Sequence, residues 1–198
     1  MRNEYYVRVH KLLWPIVHVL HPVQLTGLEN LPEDEPVLLC ANHSSWWDPI
    51  LLISALRRDY PLRIMGKMQL FRIPVLKTFL TKLGVFPVDR GNSDIGALKM
   101  AIGSLKEGWN LLLFPEGTRV RKGKTVTVKA GAAMIAIRSG VKLLPVFIGT
   151  RKTLFHKVPI ILGKPYAPIY TGRKGTAEEY QANADEIMRQ AYELGGAR

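Results

Sequence analysis

Pro36-Val37-Leu38-Leu39-Cys40-Ala41 is an apolar run that ends in Asn42-His43-Ser44-Ser45-Trp46-Trp47-Asp48, after which Pro49 opens a second apolar segment, Ile50-Leu51-Leu52-Ile53. The pattern is that of a buried strand, a turn and a helix, the opening unit of an α/β sheet. In such sheets ligands bind just outside the carboxyl ends of the strands, which is where this turn lies. The turn carries one histidine and one carboxylate, His43 and Asp48. Asp48-Pro49 also has the form of a helix start, with Asp48 as N-cap and Pro49 at the first helical position. The two roles are compatible, because a carboxylate has two oxygens.

The same alternation continues along the chain. Strands are expected near 23–28, 36–41, 62–65, 84–88, 110–114, 142–148 and 158–163, and helices around 49–57, 74–82, 94–107 and 129–139. Thr176-Ala177-Glu178-Glu179 has the spacing of a capping box and opens a final helix to about Leu194. Neither repeats nor low-complexity segments interrupt this order. It predicts an α/β fold, a single domain with a largely parallel, twisted sheet flanked by helices.

A chain of 198 residues with 47% apolar residues is long enough for one sizeable core. Lys and Arg number 28 against 16 for Asp and Glu, a formal charge of +12 that calls for an anionic partner: nucleic acid, anionic lipid or an acidic substrate. Arg57, Arg58, Arg63, Lys67, Arg72, Lys77 and Lys82 punctuate one apolar-rich stretch, and Arg119, Arg121, Lys122, Lys124 and Lys129 form a second cluster. The single Cys40 excludes an intrachain disulfide, consistent with a reducing cytoplasm.

A carboxylate folded back onto an imidazole fixes its tautomer and leaves the other ring nitrogen to take a proton from a hydroxyl. That is half of a catalytic triad without a nucleophile, suited to direct attack by a substrate alcohol on an acyl donor. Phe114-Pro115-Glu116-Gly117-Thr118-Arg119 follows another short strand, and a glycine flanked by a carboxylate and a guanidinium can grip a phosphorylated headgroup. Gly84-Val85-Phe86-Pro87-Val88-Asp89-Arg90 is a strand ending in an acid and a base, and Leu143-Leu144-Pro145-Val146-Phe147-Ile148 is a plain apolar strand.

In this order the four blocks, from residue 42 to 148, resemble the signature blocks of the glycerophospholipid acyltransferases, nearest to the 1-acyl-sn-glycerol-3-phosphate branch. The resemblance implies that His43 is the general base and Asp48 its orienting partner. It implies that Glu116, Gly117, Thr118 and Arg119 bind the glycerol phosphate. Met65-Gly66-Lys67-Met68-Gln69-Leu70-Phe71 is similar to a family segment whose lysine contacts the acceptor phosphate, which makes Lys67 a candidate, and Arg90 is another. Gln69 departs from the glutamate common there. The partners implied are a lysophospholipid acceptor and an acyl thioester donor, acyl-CoA or acyl carrier protein, with no cofactor and no nucleic acid. The reaction expected is transfer of an acyl group to the sn-2 hydroxyl of 1-acyl-sn-glycerol 3-phosphate, giving phosphatidic acid. Backbone N–H groups near the start of the helix after Asp48 are candidate oxyanion donors. The alternatives are a sibling enzyme acting on another lysophospholipid or on glycerol 3-phosphate, and a non-catalytic basic protein binding membrane or RNA.

Residues 1–22 are set apart as an amphipathic segment preceding an acyltransferase domain over 23–198. Tyr5, Val9, Leu12, Leu13, Ile16 and Leu20 fall on one helical face, with Arg8, Lys11, Pro15 and His18 on the other. Pro15 is expected to interrupt this helix, which should end by Pro22. The segment is too short and too punctuated to span a bilayer. Its apolar face therefore meets either the lipid interface or the protein's own core. The first case implies peripheral or monotopic attachment to an anionic membrane surface on the cytoplasmic face of the cell membrane.

Other chemistries do not fit. Lys122-Gly123-Lys124-Thr125 ends like a phosphate-binding P-loop, but the upstream position that must be glycine is Thr118. With no Gly-x-Ser-x-Gly elbow, Ser44 and Ser45 are not read as nucleophiles. The five histidines and one cysteine lack metal-ligand spacing, so no metal site is expected.

Overall fold

A computed structural model describes residues 3–56, 60–89, 94–120 and 126–196. Arg90, together with Arg57, Arg58, Arg121, Lys122 and Lys124 of the basic clusters, lies outside the described residues. In chain order the elements are α1 (Glu4–Leu20), β1 (Val23–Thr26), β2 (Val37–Ala41), α2 (Trp47–Ala55), β3 (Leu62–Lys67), α3 (Pro74–Lys82), β4 (Val85–Val88), α4 (Ile95–Lys106), β5 (Asn110–Leu113), α5 (Gly131–Ser139), β6 (Lys142–Ile148), β7 (Val158–Leu162) and α6 (Ala177–Leu194).

The strands form one sheet in the order β1-β7-β6-β2-β5-β3-β4. Every pairing is parallel except β6 with β7. The expected largely parallel sheet is therefore what this chain forms, and its one reversal lies in the loop joining β6 to β7. Parallel strands need helical crossovers, and those helices bury the sheet on both faces. That is why β2 is apolar at every position rather than alternating: all five of its residues are buried. Val37, Leu39 and Ala41 pack on one face with Leu51 and Leu52 of α2, while Leu38 and Cys40 pack on the other with α4, α5 and α6.

Register then decides where the chemistry falls. Cys40 is level with Leu113 of β5 and with Pro145 of β6. The turns after β2, β5 and β6 therefore emerge side by side at one edge of the sheet. Asn42 locks two of them together, its amide donating to the Ile148 carbonyl at 3.0 Å and accepting from the Ile148 N–H at 2.7 Å. The helix ends follow local chemistry. Asp94 caps α4 by accepting from the Ala97 N–H, and Thr176 with Glu179 makes the full capping box of α6.

Two expectations need correction. Helix α2 begins at Trp47 with Trp46 at the N-cap, so Asp48 is inside the first turn and is not the cap. Its carboxylate turns back onto the N–H groups of Ser44 and Ser45, upstream of the helix, which draws it away from the capping geometry. Helix α1 runs unbroken as a helical element through Pro15 to Leu20. A proline removes one backbone donor, and α1 tolerates this where the surrounding positions, Lys11 to Ile16, are all solvent-exposed.

Candidate active site

His43 sits two residues beyond β2 and is held from every side. Its Nδ1 lies 2.9 Å from Asp48 Oδ2, and its ring stacks on Phe114 at 4.3 Å between centroids. Its backbone N–H donates to Glu116 Oε2 at 2.7 Å, and its carbonyl accepts from the Val120 N–H at 2.7 Å. The turn after β5 thus grips both polar groups of the His43 backbone. Only a glycine at 117, with φ of +65°, makes that turn without strain.

Asp48 is fully buried. Burial alone would raise its carboxyl, but the His43 hydrogen bond, the Lys152 ammonium and the Ser45 N–H outweigh burial and hold it below the usual carboxylate range. An ionised carboxylate only accepts, so Nδ1 of His43 must carry the proton between them. Nε2 is left as the basic nitrogen, and it has no hydrogen bond among the described residues. Lys152, itself buried, pairs with Asp48 Oδ1 at 2.6 Å.

Glu116 does not face outward. It is buried, accepts the His43 N–H with one oxygen and bonds the Tyr192 hydroxyl of α6 with the other. Desolvation by burial raises its carboxyl above the usual range, partly offset by the bonds from Tyr192 and His43. Its geometry is that of a brace between α6 and the His43 backbone. Thr118 and Arg119 are exposed, and the Arg119 guanidinium lies 4.4 Å from the Trp46 ring. Lys67 is exposed at the end of β3, at the same edge of the sheet. Arg63 of the basic stretch is engaged elsewhere, donating to Ser104 Oγ and lying over Trp109. The N–H groups of Ser44, Ser45, Trp47 and Asp48 already have acceptors within the chain, so these four are not free to form an oxyanion hole.

Beside the site, a cavity of about 490 Å³ lined by Met65, Leu98, Phe114, Gly117, Lys129 and Met134 is largely apolar, with Asp89 and Asp94 among its polar groups. No group of histidine, cysteine or acidic side chains suited to a metal ion occurs among the described residues. Two residues of the site had no place in the motif reading. Lys152 carries a weak signal, since it lies just past the end of a predicted strand at the edge where the turns gather. Tyr192 carries none, being one position on an amphipathic helix far down the chain.

Known proteins resemble this chain in sequence and fold. The acyltransferase family profile matches residues 22–149, which include His43, Asp48 and the turn from 114 to 119. The 1-acyl-sn-glycerol-3-phosphate acyltransferase of Bacillus subtilis is 35% identical over 177 residues, 87% of either chain. A chloroplastic 1-acyl-sn-glycerol-3-phosphate acyltransferase of Arabidopsis thaliana is 32% identical over 148 residues, 72% of this chain and 41% of the other. The chain spans about half the length of several curated relatives that it matches. The crystal structure of the 1-acyl-sn-glycerophosphate acyltransferase of Thermotoga maritima superposes with a TM-score of 0.73 at 28% identity, over 99% of this chain and 80% of that one. A profile that spans the His43 and Glu116 turns, and a relative matched along nearly the whole of both sequences, place this protein in the acyltransferase family.

Proposed function

We propose that this protein transfers an acyl group from a thioester, of coenzyme A or acyl carrier protein, to the sn-2 hydroxyl of 1-acyl-sn-glycerol 3-phosphate. The observation that carries the reading is the His43 Nδ1 to Asp48 Oδ2 bond of 2.9 Å, which leaves Nε2 as the base on a ring stacked against Phe114, a residue that lines the apolar cavity. Nε2 takes the hydroxyl proton as the oxygen attacks the thioester carbonyl. The new C–O bond forms, the C–S bond breaks, and the proton passes to the departing sulfur, giving phosphatidic acid and a free thiol. No covalent acyl-enzyme is required. Asp48 balances the imidazolium while it lasts.

Arg119, Thr118 and Lys67 are exposed at the site's edge and supply the cations and hydroxyl suited to the acceptor phosphate, with Gly117 shaping the turn that presents them and Arg90 a further candidate. Glu116 acts through His43 and Tyr192. Residues 23–198 form the catalytic unit and residues 1–22 its attachment to an anionic membrane surface. In support of this, α1 leaves Leu12, Ile16 and Val19 at 70%, 53% and 65% exposure, and Leu154 and Phe155 are exposed beside its C-terminus, where the Phe155 N–H donates to the Leu20 carbonyl. No helix among the described residues is long and apolar enough to cross a membrane.

The test is thiol release from acyl-CoA and acyl carrier protein thioesters across a panel of lysolipids and glycerol 3-phosphate. Release dependent on 1-acyl-sn-glycerol 3-phosphate, with phosphatidic acid as product, is expected. His43→Ala should lower turnover about 10²- to 10⁴-fold in protein that remains folded. A folded His43→Ala protein of near-normal turnover would overturn the base assignment.

A further inference from the structure

We infer that Lys152 is a positioning residue of the His43–Asp48 pair, and that its ammonium, seated on Asp48, keeps His43 free of a proton at Nε2 and so sets the pH range in which the pair works. The inference rests on the proposed role of His43 as the base.

Lys152 lies in the loop between β6 and β7, and its side chain is only 5% exposed. Its Nζ donates to Ser44 Oγ at 2.8 Å and to the Gly149 carbonyl at 2.7 Å, and forms an ion pair with Asp48 Oδ1 at 2.6 Å. Burying an ammonium is expensive unless it is paired and hydrogen-bonded, and here an ion pair and two hydrogen bonds hold it. Replacing both members of a buried ion pair by well-packed apolar side chains costs a fold little, so the retained Asp48–Lys152 pair points to a task. The frame under it is fixed. Asn42 ties the end of β6 to the residue before His43, and Gly149 lies so close to Pro159 that an added Cβ would sit 2.7 Å from its ring.

The charges around His43 explain what the ammonium does. Asp48 of α2 faces the ring. Glu116, in the turn after β5, takes the backbone N–H and is itself bonded by Tyr192 of α6. Arg119 is exposed over Trp46, where solvent screens it. Two carboxylates and no buried cation would favour imidazolium, which has no lone pair at Nε2 and cannot accept a proton. Lys152 supplies the buried cation. It satisfies the second oxygen of Asp48, so the carboxylate keeps its hold on Nδ1 without drawing a second proton onto the ring.

The experiment compares the wild type with Lys152→Met and Lys152→Gln, which remove the charge, and Lys152→Arg, which keeps it. The pH dependence of kcat/KM is recorded in the thioester assay, and the His43 ring is titrated by NMR without substrate. The charge-free variants should move the acid limb and the ring titration about one unit to higher pH, a roughly tenfold loss of activity below the limb that recovers in alkaline solution. Lys152→Arg should keep both near the wild type. If neither charge-free variant moves the ring titration, or if activity falls equally at all pH values, the inference fails. A wild type without any acyl transfer would instead overturn the proposed function, and the ring titration would still decide the role of Lys152.

Discussion

Asp48 shows how many jobs a single buried carboxylate can hold. Oδ2 accepts from His43 Nδ1 at 2.9 Å and from the N–H groups of Ser44 and Ser45 at 2.6 Å each, while Oδ1 meets Lys152. Asparagine places an amide NH₂ where one of these donors must point, so Asp48→Asn should lose stability as well as activity. Breaking one partner of a buried pair costs about 3–5 kcal/mol, and urea unfolding should show a loss of that order. A variant as stable as the wild type would mean that the Lys152 pair contributes nothing. Because the folded carboxyl titrates below its ordinary value, its contribution is present above the unfolded pKa of about 3.9 and is lost as pH falls through the lower folded value. Glu116 has the opposite sign. Its carboxyl is raised by burial, so the wild type loses stability as pH rises from the ordinary value through the raised one. Glutamine keeps an acceptor for the His43 N–H and can donate to the Tyr192 oxygen, so Glu116→Gln should be at least as stable as the wild type at pH 7. The advantage should shrink toward pH 4, and KM for the acceptor should change little; a large KM increase would restore Glu116 to the headgroup site. The His43–Asp48 pairing was legible because both residues lie in one turn. The partners of the pair were not, since Lys152 reaches Ser44 across 108 positions and Tyr192 reaches Glu116 across 76, distances that no local pattern encodes.

Among the elements, the buried strands read most clearly. β2, β5 and β6 are short apolar runs because both sheet faces are covered, and the turn residues that follow them sit where a parallel sheet collects its ligands. Helix α1 was harder, because it has two apolar faces. Tyr6 and Val17 are buried, and just past the helix end the buried His21 ring packs on Trp47 of α2. Leu12, Ile16 and Val19 point away and are exposed to solvent. A hydrophobic pattern shows that such faces exist, while only the docking partner, α2, decides which one is filled. Deleting residues 1–21 would therefore strip a packed helix from the core along with any lipid contact. Leu12→Glu combined with Ile16→Glu separates the two, since glutamate is a good helix former and both positions are exposed. The thermal midpoint should stay within the effect of surface substitutions, about 0.5 kcal/mol. Each apolar side chain withdrawn from lipid forfeits about 1.5–3 kcal/mol, so vesicle affinity should fall about a hundredfold or more. Unchanged vesicle binding would remove α1 from the interface.

At the scale of the whole molecule, an exposed apolar face and a net charge of +12 would act on a membrane through different physics, and salt distinguishes them. Burial of Leu12, Ile16, Val19 and Phe155 in lipid is insensitive to modest ionic strength, whereas attraction to an anionic leaflet contributes roughly 1 kcal/mol per surface base and fades within a Debye length. That length shrinks from about 30 Å at 0.01 M to about 10 Å at 0.1 M. Exposed cations flank the apolar face: Lys77 and Lys82 on α3, against which Tyr5 of α1 packs through Phe79, and Arg151 and Lys157 in the loop that carries Phe155. Sedimentation with vesicles rich in phosphatidylglycerol should therefore show affinity falling steeply with salt toward a plateau, and neutral phosphatidylcholine vesicles should bind at that plateau from the start. The Leu12→Glu and Ile16→Glu double variant should lower the plateau while keeping most of the salt slope, because it removes two units from the net charge and leaves the flanking bases in place. Equal affinity for anionic and neutral vesicles at low salt would mean that the charge serves the phosphorylated substrate alone, and that the protein meets its membrane through apolar contact without electrostatic steering.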